Sequence, residues 1–163
     1  MDMKIELLEQ PEQLTFALRK TAKTEELQKI IPEKYAQLYA YLTQTGGEIT
    51  ATPYVAYFTQ KPQTELLWDM EIGFPVAKAL HNAGEILMGQ IPAMQAAVIT
   101  YRGAYSGIGA AYDAILKWIE ENNYVLTGKF YEFYLNDPST TPENELATKI
   151  VIPCKQNKKT TNA

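Results

Sequence analysis

The chain has 163 residues, of which 46% are hydrophobic and 21% charged, and its net charge is −4. This suits one soluble domain, or two small modules sharing a core, able to bury roughly 70% of its unfolded surface without a covalent staple. One cysteine, Cys154, excludes an intrachain disulfide, one histidine, His81, leaves zinc poorly supplied with ligands, and the absence of a basic stripe argues against phosphate-backbone binding as the main task.

The N-terminal segment MDMKIELLEQ lacks an apolar signal core, and no apolar run approaches transmembrane length. A cytoplasmic protein that avoids membranes is expected. Lys4 to Glu9 alternates as a short strand, Pro11 breaks it, and Gln13 to Thr21 resumes as a second strand. Thr24-Glu25-Glu26 leads to Pro32, a residue suited to a helix's first turn. From there Tyr35, Leu38, Tyr39 and Leu42 follow helical spacing until Gly46-Gly47 stops the run. Pro53 to Phe58 and Leu66 to Val76 read as strands, with a turn at Lys61-Pro62.

The same grammar then recurs. Gly84 to Ile91 and Met94 to Arg102 read as strands around Pro92. A helix carries Ile108, Ala111, Tyr112, Ile115 and Ile119 on one face and closes at Asn122-Asn123. Gly128 to Leu135 and Ala147 to Pro153 supply the last two strands. Tyr54-Val55-Ala56-Tyr57 parallels Tyr131-Glu132-Phe133-Tyr134, and Tyr39 and Leu42 parallel Tyr112 and Ile115. Two pseudo-repeats, about 3–76 and 84–153, are expected to form a single domain, with 154–163 as a flexible polar tail.

The chemistry concentrates in GKFYEFYLNDP, residues 128–138. A strand there puts Phe130, Glu132 and Tyr134 on one face and Tyr131 and Phe133 on the other. A carboxylate between aromatic rings costs free energy unless it is paired, solvated or protonated. The repeat sets Val55 where the later copy has Glu132, so the fold tolerates an apolar residue there. Glu132 reads either as a hydrated carboxylate at a sheet rim or as the acid of a ligand site.

Several stretches together resemble the GyrI-like small-molecule-binding family, which includes effector-binding domains of AraC-type and multidrug-sensing regulators. They are Trp68 to Val76, Ile91-Pro92-Ala93, Tyr101 to Tyr105, Ala111-Tyr112-Asp113, Trp118-Ile119, Gly128, Glu132 to Pro138 and Ile152-Pro153. The resemblance implies an α+β fold: a duplicated β-β-α-β-β module, two antiparallel sheets with flanking helices, and a central ligand cleft. It further implies that the cleft takes lipophilic, aromatic or cationic small molecules, helped by a late-strand acid that aligns with Glu132. A histidine is common in the family where this chain has Tyr101, so no mechanism through that imidazole is carried over.

The candidate ligand-binding set is Glu132, Tyr134, Phe130, Tyr57, Glu71 and Tyr101, with no metal and no cofactor. Each has a plainer reading: strand tyrosines pack at core edges, Phe130 fits a core, and Glu71 with Asp69 suits a solvated sheet face. Cys154 lacks a nucleophile's neighbours, and the glycines of Gly103 to Gly109 lack the lysine of a phosphate loop. The leading reading is a stand-alone effector-binding or sequestering protein with a small-molecule ligand and no direct nucleic-acid contact. The alternatives are a hydrolase of electrophilic small molecules, with Glu132, alone or together with Tyr134, as general acid/base, and a gyrase-inhibitor-like module acting on a protein partner.

Overall fold

A computed structural model describes residues 4–58 and 67–157. The turn expected at Lys61-Pro62 and the end of the polar tail, from Lys158, lie outside the described residues. Eleven regular elements follow in the order β1 (Glu6–Gln10), β2 (Gln13–Lys23), α1 (Leu27–Thr45), β3 (Tyr54–Tyr57), β4 (Leu67–Pro75), β5 (Leu87–Ile91), β6 (Met94–Arg102), α2 (Gly109–Glu121), β7 (Tyr124–Leu126), β8 (Phe130–Tyr134) and β9 (Ala147–Gln156). The class is α+β, with antiparallel strand pairing and two helices. The chain divides into two compact units: a middle unit, Pro11–Ala93, and a terminal unit, Met1–Gln10 with Met94–Ala163.

In the middle unit the strands lie in the order β3-β4-β2-β5. Alternation sends Phe16, Leu18, Met70, Ile72 and Val55 to the α1 face, where Leu38 and Leu42 are fully buried. Tyr41 of α1 stacks on Phe16 with ring centroids 5.4 Å apart, and Tyr35 meets Phe74 edge-on at 5.5 Å. On the other face β2 and β4 approach closely at Gly73. A Cβ there would lie 2.6 Å from Ala17 Cβ and 2.9 Å from the Phe16 carbonyl oxygen. Gly73→Ala is therefore expected to lower unfolding stability by about 1–3 kcal/mol through overpacking, read as a lower urea midpoint at unchanged slope.

In the terminal unit the order is β1-β6-β9-β8, and β7 pairs with the far end of β9. Ala97, Ile99, Ile150 and Ile152 of the sheet pack with Ala111, Ile115 and Ile119 of α2 into one apolar core. Thus β1 pairs with β6 and β5 with β2, each across a distance in sequence, while the prolines at 11 and 92 interrupt the strands between them.

Four local readings are corrected. Helix α1 begins at Leu27, ahead of Pro32, because a short 3₁₀ turn at Thr24–Glu26 precedes it and the Glu26 carboxylate accepts the Lys23 N–H at 2.9 Å. Tyr39 is 55% exposed and leaves the buried stripe, and Tyr41 turns inward in its place. Strand β5 starts at Leu87, since Ala83 and Ile86 close a tight turn before it. Strand β7 was not expected; Asn123, with φ of 62°, reverses the chain after α2 and launches it.

Candidate functional site

Strand β8 is held against β9 with Glu132 opposite Ile150 and Tyr134 opposite Thr148. Pleating places Phe130, Glu132 and Tyr134 on the face covered by α2, and Tyr131 and Phe133 stack on the other face at 6.4 Å. Glu132 is only 8% exposed, so its carboxyl has left bulk water. Two phenols replace that water. Tyr112 of α2 donates to Oε2 at 2.5 Å and Tyr134 donates to Oε1 at 2.7 Å.

Rings enclose the acid on several sides. Phe130 stacks on Tyr112 with centroids 6.1 Å apart, and Tyr105 meets Tyr134 edge-on at 5.8 Å. Burial pushes the Glu132 carboxyl above its ordinary range, and the phenol hydrogen bonds only partly offset that. The Tyr105 phenol is pushed up as well, by burial first and then by the charges of Glu132 and Asp137. The result is an acid-centred cluster in a low-dielectric setting, able to accept a cation and holding its proton more tightly than an exposed carboxyl would.

Tyr101 lies on the same face of the terminal unit, across β9, but it is turned to another use. Its hydroxyl donates to the Ala104 carbonyl at 2.7 Å, beneath the Gly103–Gly107 turn. A Cβ on Gly107 would sit 2.5 Å from that oxygen, which explains a glycine there. Tyr101 thereby pins the turn that presents Tyr105.

The remaining two candidates belong to the middle unit and to opposite faces of it. Tyr57 is 8% exposed on the α1 side and packs edge-on against Trp68 at 5.3 Å. Glu71 is on the other face, where the Tyr54 hydroxyl donates to it at 2.6 Å. Beside it Asp69, on the same face, is buried and accepts two bonds from the Arg19 guanidinium, both at 2.7 Å, and that guanidinium lies 3.6 Å from the centroid of the Phe58 ring. The Asp69 contact, above all, raises the Arg19 pKa. This face is therefore not simply hydrated, as the alternation suggested.

Two members of the Glu132 cluster were not among the candidates. Tyr112 was read as one more residue of the α2 stripe; its signal was a hydroxyl on an otherwise apolar helix face. Tyr105 enters the sequence reading only as the end of the Tyr101 to Tyr105 stretch, and nothing in its spacing connects it with Tyr134. Cys154 sits in the core with its thiol pushed up by burial, and His81 is exposed. Among the described residues no three His, Cys, Asp or Glu side chains gather as a metal site requires, and no helix is long and apolar enough to cross a membrane.

Comparison with known proteins places this geometry in context. The family model of the GyrI-like small molecule binding domain matches residues 3–155. The crystal structure of the EcmrR C-terminal domain is similar over 96% of this chain and 99% of its own, with a TM-score of 0.84 and 25% identity. A hydrolase encoded by lin2189 from Listeria innocua shares the fold at a TM-score of 0.69 and 13% identity, over 93% of this chain and 92% of that one. SAV2435 bound to tetraphenylphosphonium shares it at 0.61 and 14% identity, over 98% and 97% of the two chains. No match was found among the curated proteins.

Proposed function

The chain belongs to the GyrI-like small molecule binding domain family, and from that premise we propose that it binds lipophilic or aromatic cations at the Glu132 cluster. The observation that carries this reading is a carboxylate 8% exposed, held by Tyr112 and Tyr134 and surrounded by rings. A bound cation returns to the acid the charge compensation that burial removed. Each aromatic face adds about 0.5–2 kcal/mol of attraction for a cation, depending on desolvation. The phenols keep the acid aimed, and rings that flank it select flat or multi-ring guests. The protein would act as an effector-binding or sequestering domain, and with a net charge of −4 it is assigned no nucleic-acid contact of its own.

The test is a calorimetric titration with tetraphenylphosphonium, the cation carried by one fold relative, beside triphenylphosphine oxide as a neutral ring-bearing control. Preferential binding of the cation, with a melting temperature that climbs with ligand excess, is expected. Equal affinity for both compounds, or binding of neither, would remove the charge from the proposal.

The proposal also takes residues about 3–76 and 84–153 as two copies of one β-β-α-β-β module, whose first strands, β1 and β5, pair with β6 and β2 respectively. In its support, Val55 pairs with Ile72 as Glu132 pairs with Ile150, and Glu71 stands where Lys149 stands. On this reading Glu132 replaces an apolar residue of the sister copy, which marks it as an addition for function.

A second reading is favoured by one observation, the upward shift of the Glu132 carboxyl. An acid whose pKa is raised holds its proton more tightly and is a stronger base once ionised, which suits a general acid/base in a hydrolase of electrophilic small molecules. Turnover of an activated aryl ester that disappears in Glu132→Gln would raise this reading above simple binding.

A further inference from the structure

Thr148 is an anomaly of the terminal unit. Its residue is 0% exposed, and its Oγ1 is a buried side-chain atom without a hydrogen-bond partner among the described residues. Buried hydroxyls are normally paired, because an unmade bond forfeits the hydration they had in the unfolded chain. Its neighbours on β9, Ile150 and Ile152, are apolar and fully buried, so a valine of nearly equal shape would suit the packing. The hydroxyl contributes nothing to the fold that a methyl would not.

Position connects it to the acid. Thr148 lies directly opposite Tyr101 on β6 and Tyr134 on β8, so the three side chains share the α2 face with Glu132. Neither neighbouring phenol satisfies it: Tyr101 is committed to the Ala104 carbonyl and Tyr134 to Glu132 Oε1. A guest that takes the Glu132 carboxylate competes with Tyr134 for that oxygen. When the Tyr134 phenol yields, the group across the ladder from it is Thr148.

We propose that the Thr148 hydroxyl is a latent hydrogen-bonding subsite of the Glu132 cluster, met by a polar group on the guest. The inference rests on the ligand-binding reading above and adds to it a selectivity. Thr148 is the diagonal neighbour of Glu132 across the strand pair, and such neighbours are spaced about 7–8 Å. The preferred guest class is then a ring-bearing cation with a hydroxyl, ether or carbonyl at about that distance from its charge. Thr148 supplies one donor and two acceptor positions, so it can serve any of the three.

The experiment compares tetraphenylphosphonium with (4-hydroxyphenyl)triphenylphosphonium by calorimetry on wild type, Thr148→Val and Thr148→Ser. Wild type is expected to favour the hydroxyl-bearing cation by about fivefold, the size of one net hydrogen bond. Thr148→Val should erase that preference while leaving tetraphenylphosphonium affinity unchanged, and Thr148→Ser should keep it. A probe ratio identical in wild type and Thr148→Val overturns the proposal while the Glu132 reading stands. Absence of any preference in wild type overturns it without a variant. If neither cation binds wild type, both readings are overturned. A hydroxyl used only for folding would instead lower the melting temperature of Thr148→Val and leave the ratio untouched, which also counts against the proposal.

Discussion

Glu132→Gln is expected to weaken tetraphenylphosphonium binding by about 10- to 100-fold, or about 1.4–2.8 kcal/mol, while triphenylphosphine oxide affinity moves by less than about threefold. The substitution keeps shape and retains an acceptor for one phenol, so the rings should stay where they are. What it removes is the charge. A charge in a water-poor setting acts at a lower effective dielectric than one on the surface, and its loss is felt by a cation and not by a neutral guest. The same variant is expected to melt higher in the free state, because an 8% exposed carboxylate no longer has to be desolvated. A loss shared equally by cation and neutral compound would mean that the acid shapes the cluster without recognising charge.

The second large effect is in pH. The Glu132 carboxyl is raised above 4.5 by burial, outweighing the bonds from Tyr112 and Tyr134. A cation prefers the ionised form, so affinity should rise with pH through the raised pKa and then level off. Below that pKa it should fall by up to about tenfold per pH unit, with a proton released on binding. Stability of the free protein should run the other way. Between 4.5 and the raised value the folded chain holds a proton that the unfolded chain has lost. Unfolding free energy therefore decreases as pH rises through that window, and it recovers on acidification. Titrations in buffers of different ionisation enthalpy measure the released proton, and denaturant curves at several pH values measure the stability. In Glu132→Gln both dependences should flatten; persistence of the affinity slope in that variant would assign it to another group.

The element order was largely legible from local pattern. Alternation in Gln13 to Thr21 and Met94 to Arg102, and helical spacing through Leu38, Leu42, Ile115 and Ile119, are signals carried by a few successive residues. Boundaries that depend on capping were less so: the Glu26 carboxylate on the Lys23 N–H moved the α1 start forward of Pro32. The three-residue strand β7 has no periodicity to read and exists because β9 offers it an edge at Cys154 to Gln156. The inward turn of Tyr41 in place of Tyr39 reflects where Phe16 lies, which no helix spacing reports.

The candidate site was legible in part for the same reason. Phe130, Glu132 and Tyr134 were grouped correctly because they share one strand face, a property of period two. Tyr101 shares that face of the terminal unit, yet its hydroxyl is spent on the turn at Ala104. Tyr57 and Glu71 occupy opposite faces of the middle unit, as strand registry dictates.

By itself, then, the amino-acid sequence determined the kinds of element, their order, and the presence of one acid among rings on a late strand, because those follow from neighbours two to four residues apart. Tertiary structure alone decided what holds that acid. The phenol of Tyr112 reaches Glu132 from 20 residues away in the chain, and Thr148 lies beside Tyr134 only through the β8–β9 ladder. Contacts of that kind are set by how α2 packs on the sheet and how strands register, and those are outcomes of burying a whole core.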